Sequence, residues 1–212
     1  RGLGDVYKRQ IWRYENEFIP AVQADKADRA VNCGEEIKFV MHRREDCKKL
    51  VELIEKGELP LRVTHNDTKL NNVLFDSDSD DAICVIDLDT VMPGLALYDF
   101  GDSIRFGANS CAEDDDNYDK VELMLDYFEA YAKGFLSEAG DALNQCEIDN
   151  LAFSAKLMTF ECGMRFLTDY LNGDTYFKTA YPEHNLVRAK NQFALVADME
   201  RKMEQMQQII KN

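Results

Sequence analysis

The chain has 212 residues, of which 45% are hydrophobic and 31% are charged, so it can bury the core of one good-sized domain or of two small ones. Its 40 acidic and 25 basic side chains give a formal net charge of −15. A surface of that sign repels nucleic acids and anionic membranes, so we expect neither as a partner.

The six cysteines form no C-x-x-C motif and have no histidine at zinc-ligand spacing, so we expect free thiols in a reducing compartment. The chain shows no signal peptide and no run of eighteen apolar residues. These features favour a cytoplasmic protein.

Residues 1–34 are interpreted as a ragged, partly helical lead-in. The G-x-G at positions 2–4 follows no strand and is given no phosphate-binding role. Residues 11–30 are predicted to be partly helical, with three apolar anchors: Trp12, Phe18 and Ile19. Residues 35–56 repeat apolar positions at helical spacing, which predicts a helix that Gly57 and Pro60 end.

Residues 61–86 predict three short strands, at 61–64, 73–75 and 82–86. We expect the last two to be buried strands of one hairpin. The acidic turn between them, residues 76–81, mimics the first half of a calcium loop but lacks its glycine and its final glutamate. It is therefore predicted to be a solvated hairpin tip.

Polar residues at the ends of these strands are of the types that phosphoryl transfer requires. Asp67 could accept the proton of an acceptor hydroxyl, and Lys69 could place positive charge on the transferring group. Asn72 and Asp87 carry the hard oxygen ligands that suit Mg²⁺. Asp89 is a possible second carboxylate if the strand continues that far.

The string H-N-D-T-K-L-N-N at positions 65–72, followed by Asp87, resembles the H-R-D-x-x-x-x-N and metal-binding Asp of the protein-kinase-like superfamily. Asparagine in its second position resembles the small-molecule kinases of the aminoglycoside phosphotransferase and choline kinase group. The resemblance implies that Asp67 is the catalytic base, that Lys69, Asn72 and Asp87 bind the ATP phosphates, and that the last two hold Mg²⁺. The alternative is a polar loop that joins two strands of another fold.

The same resemblance implies the fold class: α+β, mainly α, a kinase-like C-terminal lobe over residues 35–212 whose small β hairpin carries the catalytic and metal-binding loops. A complete kinase also has an N-terminal lobe with a glycine-rich loop and a lysine on a strand. Nothing before Leu61 supplies either feature. We therefore expect this chain to be a lobe of a larger enzyme that turns over little by itself.

A literal D-F-G begins at Asp99, but it follows Asp67 by 32 positions, whereas a kinase places its metal-binding Asp about 20 positions after the base. Residues 93–100 resemble an element of aminoglycoside phosphotransferase relatives in which this Asp braces the catalytic loop and opens a helix. We expect that helix to run to about Phe106. On it, solvent-facing or bracing roles are favoured for Asp102 and Arg105.

Three more helices are predicted, at residues 118–136, 147–171 and 185–210, after an acidic loop at 109–119. A break at 137–145 separates the first two. Methionines recur at helical spacing in the last helix and are more typical of core or partner contacts than of a metal site.

Residues 85–94, 98–105 and 163–174 resemble bacterial N-acetylhexosamine 1-kinases. That resemblance implies transfer from MgATP to the anomeric hydroxyl of N-acetylglucosamine or N-acetylgalactosamine. Arg165 and Asp169 lie on one helical face and are candidate sugar contacts, with a plain intrahelical ion pair as the alternative. Asp102 and Arg105 are weaker candidates of the same kind.

Two other functions stay open. One is a kinase for an aminoglycoside, choline or homoserine; a quaternary ammonium acceptor would favour an aromatic cage. The other is a non-catalytic binding module, for which loss of Asp67, Asn72 or Asp87 would be the usual mark. All three residues are present.

Overall fold

The computed structural model describes residues 9–212, with only the backbone of Arg9. The interpretation of positions 1–8, including the G-x-G, lies outside the described residues. Helices α1 (Arg9–Arg13) and α2 (Ile19–Ala24) are joined by a five-residue π-helical segment, Tyr14–Phe18. Of the expected anchors, Phe18 is fully buried and Ile19 partly so, but Trp12 is 54% exposed, so its prediction as an anchor was wrong.

The helix predicted over residues 35–56 is instead two helices, α3 (Gly34–Met41) and α4 (Asp46–Glu55), separated by a turn. Gly57 ends the second one with a φ of +76°, a left-handed conformation that glycine adopts without strain.

Four strands form two antiparallel pairs. Strand β1 (Arg62–Thr64) pairs with β4 (Met92–Gly94), which the sequence analysis did not predict. Strands β2 (Val73–Phe75) and β3 (Ala82–Val85) form the predicted hairpin, with the acidic turn exposed at its tip.

The prediction that the hairpin strands are buried was wrong. In β3, Ile83 is 63% and Val85 51% exposed, and in β2 nearly half of Leu74 and Phe75 is exposed. A strand becomes buried only when another layer packs on it. The helices of this chain pack mainly against one another, so the described residues provide no such layer over the hairpin.

Helix α5 (Ala96–Gly107) follows β4 and matches the prediction closely. Helix α6 (Leu125–Ala139) begins later than predicted, because the preceding segment leaves helical geometry at a short 3₁₀ turn, Tyr118–Lys120, and then forms an isolated bridge with Asn109. The helix also continues into the expected break.

Helices α7 (Gln145–Leu171) and α8 (His184–Lys211) are the longest in the described chain. A capping box begins α7: the Asn144 side chain accepts from the backbone N–H of Glu147, and the Glu147 carboxylate accepts from the backbone N–H of Asn144. Gly173, with a φ of +88°, lies just beyond its end.

The core lies where α7 packs against α5 and along α8. A methyl group at Gly101 would lie 2.5 Å from the backbone oxygen of Ser154, and one at Gly163 would lie 2.6 Å from the Phe193 ring. These glycines let the helices approach closely. Met199 and Met206 are fully buried, which confirms core packing for the methionine stripe.

The described chain is mostly helical with a small antiparallel β part, so the predicted α+β, mainly α, class agrees with it. All six cysteines are free thiols, as predicted. Within residues 9–212, none of the helices combines the length and the apolar character that crossing a bilayer requires.

Candidate active site

The loop between β1 and β2 brings three of the predicted site residues together around one carboxylate. Lys69 Nζ and Asn72 Nδ2 each donate to Asp67 Oδ2 at 2.9 Å. Asn72 Nδ2 also donates to the backbone oxygen of Asp67 at 2.8 Å, and the Asn72 side chain is buried. The Asp67 carboxylate is thus held on one side by two donors.

Asp99 fastens this loop to α5. Its Oδ2 accepts from the backbone N–H of His65 at 2.7 Å, and its Oδ1 accepts from that of Asn66 at 2.8 Å. The hydroxyl of Thr68 donates to the Asp99 backbone oxygen at 2.7 Å. Burial raises the pKa of Asp99 above its ordinary value, and the two backbone hydrogen bonds oppose that rise. The predicted bracing role of Asp99 is confirmed.

Asp87 lies just beyond β3 in a left-handed conformation, with a φ of +62°, which aspartate tolerates better than most residues. Its neighbour Ile86 is hydrogen-bonded on both sides to the loop between β1 and β2. The Ile86 N–H donates to the Asn72 backbone oxygen at 2.9 Å, and His65 Nε2 donates to the Ile86 oxygen at 2.9 Å. Asp87 and Asn72 are therefore brought to the same end of the hairpin.

These two residues fit a magnesium ion that also binds phosphates. The Asn72 amide oxygen accepts no hydrogen bond in residues 9–212, and Asp87 is exposed, so both oxygens are available as hard ligands. Residues 9–212 contain no group of three or more His, Cys, Asp and Glu side chains that could hold a metal. Such a sparse ligand set suits Mg²⁺, which usually keeps several waters and substrate oxygens.

Lys69 lies among the acidic groups of the site. The hydrogen bond to Asp67 is the largest cause that raises the pKa of Lys69; burial opposes it, and the charges of Asp67, Asp87 and Asp102 raise it further. The ammonium therefore stays positive at neutral pH, as a contact to a phosphate requires.

Arg105 is buried between two carboxylates. It donates to Asp102 Oδ1 at 2.9 Å and to Glu113 Oε1 at 2.6 Å. Burial lowers the pKa of Arg105, but the neighbouring anionic groups outweigh it and raise that pKa above its ordinary value. Of the solvent-facing and bracing roles favoured for Arg105, the structure supports bracing, since only 11% of its side chain is exposed.

A small recess lies between the catalytic loop and helices α1, α5 and α7. It is lined by Gln10, Asn66, Tyr98, Asp102, Met158 and Glu161. At its buried side, the Tyr98 hydroxyl donates to Gln10 Oε1 at 3.0 Å, and Gln10 Nε2 donates to Glu161 Oε2 at 2.8 Å. This recess was not predicted, because its lining comes from four separate parts of the chain.

Arg165 and Asp169 form no ion pair with each other within the described part of the chain. Asp169 is 5% exposed, and its oxygens accept from three backbone N–H groups of the loop between α7 and α8. The Arg165 guanidinium lies 5.8 Å from the ring centre of Tyr176 and 5.3 Å from that of Phe177. Both residues thus organise one loop, and sugar binding by either stays a prediction.

Thr90 is a site residue that sequence reasoning missed. Its hydroxyl donates to the His65 backbone oxygen at 2.7 Å, and its own backbone oxygen accepts from Asn66 Nδ2 at 3.1 Å. Asn66 has a φ of +65°, so these bonds hold the loop in a strained turn. A threonine some 25 positions away carries no local signal of such a role.

The model of the phosphotransferase enzyme family matches residues 4–134, which is more than half of the chain. The matched part includes the loop between β1 and β2, the hairpin and α5, whereas Arg165 and Asp169 lie beyond it.

Proposed function

This chain belongs to the phosphotransferase enzyme family, and on that premise we propose that it transfers the γ-phosphate of MgATP to a sugar hydroxyl. The acceptor we propose is the anomeric hydroxyl of N-acetylglucosamine or N-acetylgalactosamine. The observation that carries the reaction type is the Asp67 carboxylate, held by Lys69 and Asn72 on a loop that Asp99 braces.

Asp67 is the proposed general base. Its Oδ2 is engaged by Lys69 and Asn72, whereas its Oδ1 accepts no hydrogen bond from any described residue. Oδ1 is therefore the oxygen that can take the proton of the acceptor hydroxyl. A base held in one orientation favours in-line attack, since small misplacements of reacting groups cost much of the rate.

Asn72 and Asp87 would hold Mg²⁺, and Lys69 would contact the transferring phosphoryl group. When bound, the metal ion neutralises charge on the phosphate oxygens. The chain itself contributes the fixed spacing between these ligands and the base, because Ile86 joins the end of β3 to the catalytic loop on both sides.

The sugar is the proposed acceptor because three strings of this sequence resemble N-acetylhexosamine 1-kinases. Arg165 supports a sugar contact from α7, since its guanidinium lies beside the 65% exposed ring of Tyr176. A cation next to an aromatic face offers both a hydrogen-bond donor and an apolar surface for a sugar ring. Asp169 would act behind this surface by shaping the loop that carries Tyr176.

We further propose that a separate N-terminal lobe completes the ATP site. The exposed apolar side chains of β3, Ile83 and Val85, are the surface that such a lobe would cover. Residues 9–60 contain helices and turns but no strand that could carry a phosphate-binding lysine. The 212 residues alone should therefore bind ATP poorly.

Phosphorus NMR tests the reaction. The chain is expressed with its upstream coding sequence and incubated with MgATP and N-acetylglucosamine, beside the same protein carrying Asp67→Asn. We expect a sugar 1-phosphate signal that the variant lacks. A product formed only from choline, homoserine or an aminoglycoside would refute the sugar acceptor, and no transfer to any acceptor would refute the enzyme and favour a binding module.

A further inference from the structure

Asp102 lies where the recess meets the proposed active site. It lines the recess together with Asn66, the residue before the proposed base. Its negative charge also acts on the Lys69 ammonium, which is hydrogen-bonded to Asp67. The Asp102 carboxylate is therefore close enough to act on the lysine that holds the proposed base.

The two oxygens of Asp102 have different surroundings. Oδ1 accepts from Arg105 Nε at 2.9 Å. Oδ2 accepts no hydrogen bond from the residues that the structure describes, although the side chain is only 15% exposed. This oxygen is not fully enclosed, so a water molecule or a ligand can supply the donor that it lacks.

The charge balance of the recess favours a neutral ligand. Asp102 is paired with Arg105, which also binds Glu113, and Glu161 is paired with Arg13 at 3.0 Å. Each carboxylate in the recess thus already has a cation beside it. A polycation would gain little here, whereas a hydroxyl or an amide N–H could still donate to Oδ2.

We propose that Asp102 binds the acceptor, with its Oδ2 receiving a hydrogen bond from a non-reacting hydroxyl or amide N–H of a neutral, polyhydroxylated acceptor. This inference rests on the proposed function. Arg105 orients Asp102 through Oδ1, and Asp67 meanwhile receives the proton of the reacting hydroxyl. Asp102 thereby helps to decide which acceptors bind, beyond the bracing role favoured from the sequence.

Asp102→Asn is the informative change. Because Arg105 donates to Oδ1, the amide oxygen of the variant would face Arg105 and its NH2 group would face the recess. A donor would then stand where an acceptor is needed. Loss of one hydrogen bond to a charged group predicts a rise of about tenfold to hundredfold in KM for the sugar, with KM for ATP unchanged.

Glu113→Gln is the matched control, since it also removes one carboxylate partner from Arg105 but does not line the recess. It should leave KM for the sugar within about twofold of wild type. A deoxy sugar that lacks the contacting hydroxyl should bind wild type less well than the parent sugar does. On Asp102→Asn, the deoxy sugar and the parent sugar should bind equally well.

Steady-state kinetics on the protein with its upstream sequence restored measure KM for the sugar and so test the role of Asp102. Equal KM values for the sugar in Asp102→Asn and Glu113→Gln, with wild type active, overturn the role of Asp102 alone. A wild type that transfers phosphate to no hydroxyl overturns the proposed function as well. If Asp102→Asn loses its helical circular dichroism, Asp102→Glu replaces it: this variant keeps a partner for Arg105 and should still raise KM for the sugar, and an unchanged KM overturns the proposal.

Discussion

The buried carboxylate of Asp169 holds the loop between α7 and α8 by several hydrogen bonds. Asp169 Oδ1 accepts from the backbone N–H groups of Thr175 and Tyr176, both at 2.9 Å. Its Oδ2 accepts from the backbone N–H of Phe177 at 3.0 Å and from Asn185 Nδ2 at 2.9 Å. Because acceptors are needed on both sides, we predict that Asp169→Asn is strongly destabilising.

The expected loss of unfolding free energy in Asp169→Asn follows from the number of donors on each carboxylate oxygen. An asparagine can keep its oxygen toward one pair of donors only, and its NH2 group then faces the other pair. Two hydrogen bonds to a charged acceptor are lost, each of about 1.5–3 kcal/mol. The expected loss is about 3 kcal/mol or more, a large part of the 5–15 kcal/mol that is typical for a folded domain.

Urea unfolding followed by far-ultraviolet circular dichroism measures this loss as a lower midpoint at an unchanged slope. Thr175→Val is the control: it removes only a long hydroxyl contact of 3.4 Å and keeps the backbone N–H, so its midpoint should match wild type. A wild-type midpoint for Asp169→Asn, together with weaker sugar binding, would refute the reasoning and make Asp169 a direct sugar contact.

Three further predictions use the same purified protein. Gly101→Ala brings a methyl group 2.5 Å from a backbone oxygen of α7, which should cost about 1–3 kcal/mol in urea unfolding; wild-type stability would contradict this. Burial raises the pKa of Asp198, but the hydrogen bond from Lys202 and other contacts outweigh it and leave that pKa below its ordinary value. The stability that the ionised Asp198 contributes is therefore full above about pH 5 and is lost as the pH falls below about pH 4. The unfolding free energies of wild type and Asp198→Asn should accordingly converge in acid. A difference that stays constant with pH would contradict this. Burial raises the pKa of the Cys47 thiol to about 12, so mass spectrometry should find a thiol reagent on exposed Cys84 but on Cys47 only after unfolding.

The arrangement of the loop between β1 and β2 could be predicted because its residues are close in sequence. Asp67, Lys69 and Asn72 lie within six positions, and a polar loop between two short strands leaves them few ways to arrange. The structure joins all three by hydrogen bonds at 2.8–2.9 Å. Asp99 was also predicted as a brace, but that prediction came from the resemblance of its flanking residues to a known element.

Burial of the hairpin could not be predicted from its own residues. The apolar run of β3 is typical of a buried strand, yet Ile83 and Val85 are largely exposed. Whether a strand is buried depends on which layers pack over it, and that information lies outside the strand. Trp12 was misjudged for the same reason.

The sequence by itself determined the local features of this protein: the helical periodicity of α5, α7 and α8, the hairpin turn, and the order of the residues that phosphoryl transfer requires. Only the tertiary structure decided which residues from distant parts of the chain contact each other. It paired β1 with β4 and placed Gln10 against Glu161, 151 positions away. It also made the Asp169 carboxylate accept hydrogen bonds from the loop between α7 and α8, and not from Arg165. The physical reason is that a hydrogen bond needs its two groups in contact, and contacts between distant segments arise only when the helices pack.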